Sequence, residues 1–113
     1  MKTYLASAAL AAALTAFASV ASAQAIKISV AAEPYPPFAS LDASGKWVGW
    51  EVEIANALCE AAKLQCELVA TQWDGIIPAL IAKKFDAIVA SMSITAERKE
   101  QVDFSKNKCK TTK

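Results

Sequence analysis

An α/β fold built on a parallel βαβαβ sheet is what this sequence predicts, and three observations carry the prediction. Short apolar segments at 26–30, 66–70 and 85–90 have the length of strands. Two longer segments, 51–63 and 75–83, repeat apolar residues at helical spacing, and the two kinds of segment alternate along the chain. A helix between each pair of strands is the crossover that parallel pairing requires, and such crossovers are right-handed. Ligands of open parallel sheets bind beyond the carboxyl ends of the strands. Here those ends are the loops 32–38, 71–74 and 91–95.

In the first strand Ile26, Ile28 and Val30 alternate with Lys27 and Ser29. Glu33-Pro34-Tyr35-Pro36-Pro37-Phe38 then breaks any regular element, because three prolines remove three backbone donors and fix the local backbone. Asp42 to Lys46 reads as a turn around Gly45. From Glu51 to Lys63 the stripe Trp50, Ile54, Ala57/Leu58 and Ala61 predicts a helix with those residues buried. Glu51 and Glu53 stand in its first turn, where the helix dipole favours acids. Cys66–Ala70 is a second strand. Asp74 is placed to cap a helix from Gly75 to Lys83, and Pro78 is near enough to its start to be tolerated. Phe85–Ala90 is a continuous apolar run around Asp86, as expected of a buried strand. Thr95 starts a short helix with Glu97, Arg98 and Lys99, and Val102-Asp103-Phe104 is a candidate further strand.

The opening of the chain is set apart from this fold. Lys2, an apolar run from Leu5 to Val20 and the small residues Ala21-Ser22-Ala23 match a cleavable signal peptide over 1–23, with Gln24 as the mature N-terminus. The run is short for a membrane span. Of 113 residues, 90 then remain, enough for one small domain. Their eleven basic and eleven acidic residues cancel, but unevenly: 24–105 holds seven basic and eleven acidic residues, and 106–113 holds four lysines and no acid. The mildly acidic body gives no electrostatic reason to expect nucleic acid as a partner. The lysines at 106–113 read as a solvated tail. Three cysteines allow at most one internal disulfide in an oxidising compartment. Seven residues of unbroken helix would hold Cys59 and Cys66 about 10 Å apart, so a bond between them requires the helix to end and the chain to turn back. Metal binding is the weaker alternative, and Cys109 is left over.

Catalytic readings find little support. The chain has no histidine, which excludes a His-based triad or His metal site, and Gly45, Gly49 and Gly75 make no phosphate loop. No cofactor is expected. Binding uses the residues better. Arg98 follows the hydroxyl-rich loop Ser91-Met92-Ser93-Ile94-Thr95, and a guanidinium fork with hydroxyls and helix-terminal amides suits a carboxylate. Tyr35 and Trp73, on loops at one sheet edge, could sandwich a ligand. From spacing alone the plainer readings are stronger: a solvated Arg98, Thr95 as a cap only, and each aromatic packed in the core. Trp47 and Trp50 are read as core.

Five blocks change that balance. They are Ala-Ala-Glu-Pro-Tyr-Pro-Pro-Phe (31–38), Gly-Lys-Trp-Val-Gly-Trp-Glu-Val-Glu-Ile-Ala (45–55), Trp-Asp-Gly-Ile-Ile-Pro-Ala-Leu (73–80), Lys-Lys-Phe-Asp-Ala-Ile-Val-Ala-Ser-Met-Ser-Ile-Thr (83–95) and Glu-Arg-Lys-Glu-Gln-Val-Asp-Phe-Ser (97–105). In order and spacing this resembles the family 3 solute-binding proteins that feed polar amino acids to ABC importers. The resemblance implies a type II periplasmic binding fold of two lobes closing on a hinge, with residues 24–105 forming part of the first lobe. It implies an L-amino acid ligand, an inner-membrane permease as partner, and a periplasmic location. Arg98 then resembles the arginine that pairs with the ligand's α-carboxylate, and Ser93 the residue that assists through amide and hydroxyl. Ser91 resembles the acceptor for the α-ammonium, and Tyr35 and Trp73 the aromatics stacking on the side chain. Cys59 and Cys66 match a disulfide of the basic-amino-acid binders. The sequence departs from those binders at Ala32, where they often place an aspartate; the adjacent Glu33 is expected to point elsewhere.

After Ser105 the resemblance stops, and the change to a lysine-rich, cysteine-bearing segment suggests a shifted or truncated reading frame, with a genuine short variant as the alternative. Binding is expected to suffer, since one wall of a cleft leaves the ligand in water. Two alternatives stand beside capture of an amino acid. One is a fragment of an enzyme on the same fold, a dehydratase or a domain preceding a lytic transglycosylase; the other is an inert product.

Overall fold

The computed structural model describes residues 24–106, so the expected leader (1–23) and the expected tail from 107 onward, Cys109 included, lie outside the described residues. The strand-helix alternation produces the parallel sheet. Strand β1 (Ile26–Ala31) is central, with β4 (Cys66–Thr71) on one side and β5 (Ala87–Ile88) on the other. β1 pairs with β4 from Ile26 opposite Cys66 through Ala31 opposite Thr71, and with β5 at Ile28–Ala87 and Ser29–Ile88. A central parallel strand is covered on both faces, and accordingly Ile28, Ser29 and Val30 are all buried. Ser29 satisfies its hydroxyl by donating to Thr71 Oγ1 at 2.9 Å.

The third strand is shorter than the apolar run 85–90 predicts. Asp86 accounts for its beginning: its carboxylate accepts the Lys27 N–H at 2.8 Å while its own N–H donates to the Lys27 carbonyl at 2.8 Å. That exchange ties residue 86 to β1 through a side chain, so ladder pairing starts only at Ala87. Val89 still donates to the Ser29 carbonyl at 2.9 Å. The chain then leaves the sheet and reaches Ser91 in the left-handed region, φ 45°.

Between β1 and the first helix lies a hairpin of β2 (Ser40–Leu41) and β3 (Trp47–Val48). Asp42 closes its turn, with Oδ1 accepting from the Ser44 hydroxyl at 2.6 Å and from the Ser44 and Lys46 amides. The Ser44 hydroxyl first, then the Lys46 amide, hold the Asp42 carboxyl below its ordinary range.

Helix α1 (Trp50–Ala61) starts at Gly49, whose φ of 121° suits glycine alone. A Cβ there would collide with the Phe38 carbonyl oxygen. The close approach lets the Pro37 and Phe38 carbonyls accept the Trp50 and Glu51 amides at 3.1 and 2.9 Å, so the proline-rich loop caps the helix with backbone. The buried stripe differs from the expected one. Val52, Ala55 and Cys59 face inward together with Glu51, whereas Ala57, Leu58 and Ala61 are exposed and Trp50 is 46% exposed. Cys59 decides the rotation. It is bonded to Cys66 with a Cα–Cα separation of 6.2 Å, and it packs with Ile28 and Ala55 against Ile26, Leu68 and Val89. The chain turns back between the cysteines: α1 ends at Ala61, and Lys63 adopts φ 55°. Leu64 then donates to the Cys59 carbonyl at 2.9 Å.

The expected Asp74 cap is absent. Trp73–Gly75 forms a single 3-10 turn and α2 (Ile76–Ile81) follows without a side-chain cap, Ile76 being its buried anchor. Helix α3 (Ala96–Lys99) has the expected Thr95 cap, whose Oγ1 accepts the Arg98 N–H at 3.2 Å. No strand forms at Val102–Phe104. The Val102 N–H instead donates to the Arg98 carbonyl at 3.0 Å, completing the turn that ends α3. Among the described residues no helix is long and apolar enough to cross a membrane.

Candidate functional site

Parallel pairing sends β1, β4 and β5 out of the sheet at the same edge, and the three following loops meet there. The Ala32 N–H still donates to the Thr71 carbonyl at 2.9 Å, one step beyond the last register pair. That step sets the first loop beside the second, and Glu33 reaches across it: both carboxylate oxygens accept the Trp73 N–H, each at 3.2 Å. The expectation that Glu33 points elsewhere is therefore corrected. Residues forty positions apart are neighbours because their strands are.

The loop aromatics are layered. Tyr35 stacks on Phe38 at 5.0 Å between ring centroids, Phe38 meets the edge of Trp50 at 6.1 Å, and Tyr35 remains 58% exposed. This engages Trp50 with the proline-rich loop rather than with the interior.

Two open cavities share Trp73 as a wall. One, of about 320 Å³, is lined by Tyr35, Trp73 and Ser91 together with Glu33 and Glu51. The other, of about 350 Å³, is lined by Trp73, Met92, Arg98 and Gln101 among others. The guanidinium of Arg98 lies over the Trp73 ring, 5.6 Å from its centroid, and Nη1 donates to the Ser93 carbonyl at 2.9 Å. Tyr35, Trp73 and Ser91 are thus brought round one cavity, whereas Arg98 lines the other, against the Trp73 that the two share. Ser93 contributes its carbonyl as the strut of Arg98, and its hydroxyl makes no hydrogen bond among the described residues. The expected share of helix-terminal amides is reduced, since α3 is four residues long and Thr95 already takes the Arg98 N–H.

The sequence marks Glu51 only as a dipole-favoured acid. In the structure it is 3% exposed, and its Oε1 is buried with no hydrogen-bond partner among the described residues. The signal that finds it is the four-residue step Glu51, Ala55, Cys59, which puts an acid on the inward stripe. No group of three or more metal-ligating side chains occurs among the described residues.

The sequence profile of bacterial extracellular solute-binding proteins, family 3, matches residues 26–113. The chain belongs to that family. Its curated relatives include the octopine-binding periplasmic protein of Rhizobium meliloti, 46% identical over 95 residues, covering 83% of this chain and 32% of the relative. Another is the L-arginine-binding protein of Pseudomonas aeruginosa, 52% identical over 71 residues, covering 63% of this chain and 27% of the relative. This family 3 chain therefore spans 27–40% of the length of the curated relatives it matches. Among solved structures, an arginine-bound form of domain 1 from TmArgBP, a point variant, superposes with a TM-score of 0.62. It is 36% identical over 66% of this chain and 57% of that one. An ancestral cyclohexadienyl dehydratase superposes with a TM-score of 0.70 at 27% identity, covering 75% and 35%. The fold is that of the type II periplasmic binding proteins, and the foremost curated relatives are binding proteins rather than enzymes.

Proposed function

We propose that this chain captures an L-amino acid in the periplasm, as the first-lobe wall of a site serving an ABC importer. The observation that carries the reading is the convergence of Tyr35, Trp73 and Ser91 on one cavity with Arg98 laid against the same Trp73. A guanidinium has five N–H donors, and Arg98 uses one of them, toward Ser93, among the described residues. The fork is therefore pre-positioned and still able to take an α-carboxylate through paired, charge-assisted hydrogen bonds. Ser91, with its carbonyl turned by a left-handed backbone, serves the α-ammonium. Trp73 and Tyr35 cover the ligand side chain. Names of relatives that bind arginine, lysine or histidine support an amino acid as ligand. The arginine-bound single domain supports a first lobe holding one without its partner lobe.

Thermal unfolding of the full chain with a panel of L-amino acids at millimolar concentration tests this, because a ligand that binds the native state raises the midpoint. A shift confined to one chemical group of amino acids and lost in Arg98→Ala is expected. A cooperative transition that no amino acid moves contradicts the proposal.

A second reading, catalysis on the same fold, draws on one observation, the buried acid Glu51 at the cavity. Mass analysis of the recovered ligand separates the two. Capture returns it unchanged, and a dehydratase returns it less one water.

A further inference from the structure

Trp73 is held from two sides. Its ring carries the Arg98 guanidinium, 5.6 Å from the centroid. Its backbone N–H opens the 3-10 turn Trp73–Gly75, and Gln72 before it supplies no side-chain cap. The first amides of a helical turn have no partner within that turn. Glu33 is the partner here, with both carboxylate oxygens 3.2 Å from the Trp73 nitrogen. The contact continues the sheet by means of a side chain. The Ala32 N–H donates to the Thr71 carbonyl at 2.9 Å, and Pro34, two residues on, has no N–H with which to extend the ladder. Glu33 precedes that proline, so its backbone is confined to extended conformations and its side chain leaves the loop from a restricted position. Among the described residues no other hydrogen bond ties the loop after β1 to Trp73. Both cavities take Trp73 as a wall, so its setting matters to Tyr35 and Ser91 on one side and to Arg98 on the other.

We infer that Glu33 is a positioning residue for capture: through the Trp73 amide it fixes the aromatic wall that the two cavities share and, through that ring, the seat of Arg98. It acts as a hydrogen-bond acceptor for the protein, not as a charge opposite the ligand. The inference rests on the capture reading above and adds to it how one loop sets the geometry of the other two.

The test is calorimetric titration of the full chain with L-arginine and with L-glutamine, one charged and one neutral side chain. Glu33→Ala is expected to weaken both by roughly 3- to 10-fold, the worth of one hydrogen bond. Glu33→Gln, which keeps an acceptor oxygen and loses the charge, is expected to stay within about twofold of the native chain. Exchange of the Trp73 amide, followed by NMR without ligand, is expected to quicken in Glu33→Ala and to return toward the native rate in Glu33→Gln. The bond is exposed, so the ligand-free melting midpoint should move little in either variant. A loss confined to L-arginine, or Glu33→Gln as weak as Glu33→Ala, overturns the inference, because the charge would then be what acts. A lower midpoint with unchanged affinity of the folded fraction overturns it too, since Glu33 would then serve only the fold. If Arg98→Ala weakens both ligands while Glu33→Ala weakens neither, the capture reading stands and this inference falls. If the native chain binds neither ligand, both fall.

Discussion

The two ends of the sheet are built by opposite rules. Where β4 begins, the Cys59–Cys66 bond locks α1 to the sheet and a compact group of Ile28, Ala55 and Cys59 is closed over by Ile26, Leu68 and Val89. Where the strands end, Tyr35 stands exposed, Arg98 rests on an aromatic face with one hydrogen bond from its guanidinium among the described residues, and the buried Glu51 Oε1 has no hydrogen-bond partner among them. The first end has its bonding completed within the chain. The second has donors, acceptors and aromatic faces held in place but incompletely used. Stability and recognition are thus separated along the strand direction, and the separation can be tested one residue at a time.

The largest effect is expected at the joint between the ends. Gly49→Ala forces a side chain into a left-handed backbone and against the Phe38 carbonyl, disturbing the loop that caps α1. A loss on the order of 3 kcal/mol is expected in denaturant unfolding. Next comes the locked end. Replacing Cys59 and Cys66 by serine releases a short loop and is expected to cost about 2–2.5 kcal/mol. The ligand preference of the folded fraction should not change, and a changed preference would join the two ends after all. At the open end the pattern reverses. Arg98→Ala is expected to weaken amino-acid binding by about 1.5–3 kcal/mol, roughly tenfold to a hundredfold, with the ligand-free melting midpoint nearly unchanged.

A smaller effect has the opposite sign. Glu51→Met removes a buried acid whose Oε1 has no hydrogen-bond partner among the described residues, and keeps an unbranched side chain of similar length, so stability should rise by about 1 kcal/mol. A fall in stability would mean that Glu51 is already satisfied in the folded chain. The smallest effect lies outside both ends, in the hairpin turn. Asp42 titrates lower in the folded chain than in the unfolded one because Ser44 and Lys46 donate to it. Its contribution is therefore complete above the ordinary aspartate value and is lost as pH falls through the lower, folded value. Melting curves should show that acid-side loss in the native chain and a flatter profile in Asp42→Asn.

How much of this was legible in the sequence depended on how local the cause was. Alternation in 26–30 and apolar runs at 66–70 were enough to place β1 and β4, and Thr95 was legible as a cap because capping acts within three residues. The loop residues Tyr35, Trp73 and Ser91 were placed at one edge because parallel strands must deliver their loops together. The stripe of α1 is not legible locally: Trp50 looks like an interior residue, whereas Phe38 engages it from a loop twelve residues earlier and the disulfide turns Cys59 inward. The short β5 reflects one carboxylate, Asp86, bonding to a backbone amide fifty-nine residues away. Glu33 and Glu51 acquired their roles from contacts across the sheet edge, which no local pattern records.

The central claim is that recognition is confined to the carboxyl end of the sheet, and amide NMR of the full chain titrated with L-arginine tests it most directly. The account predicts shifts concentrated at Glu33, Tyr35, Trp73, Ser91, Ser93 and Arg98, with Cys59, Cys66 and Leu64 unmoved. Shifts spread evenly through the domain, shifts confined to the disulfide end, or no shifts at saturating ligand would contradict it.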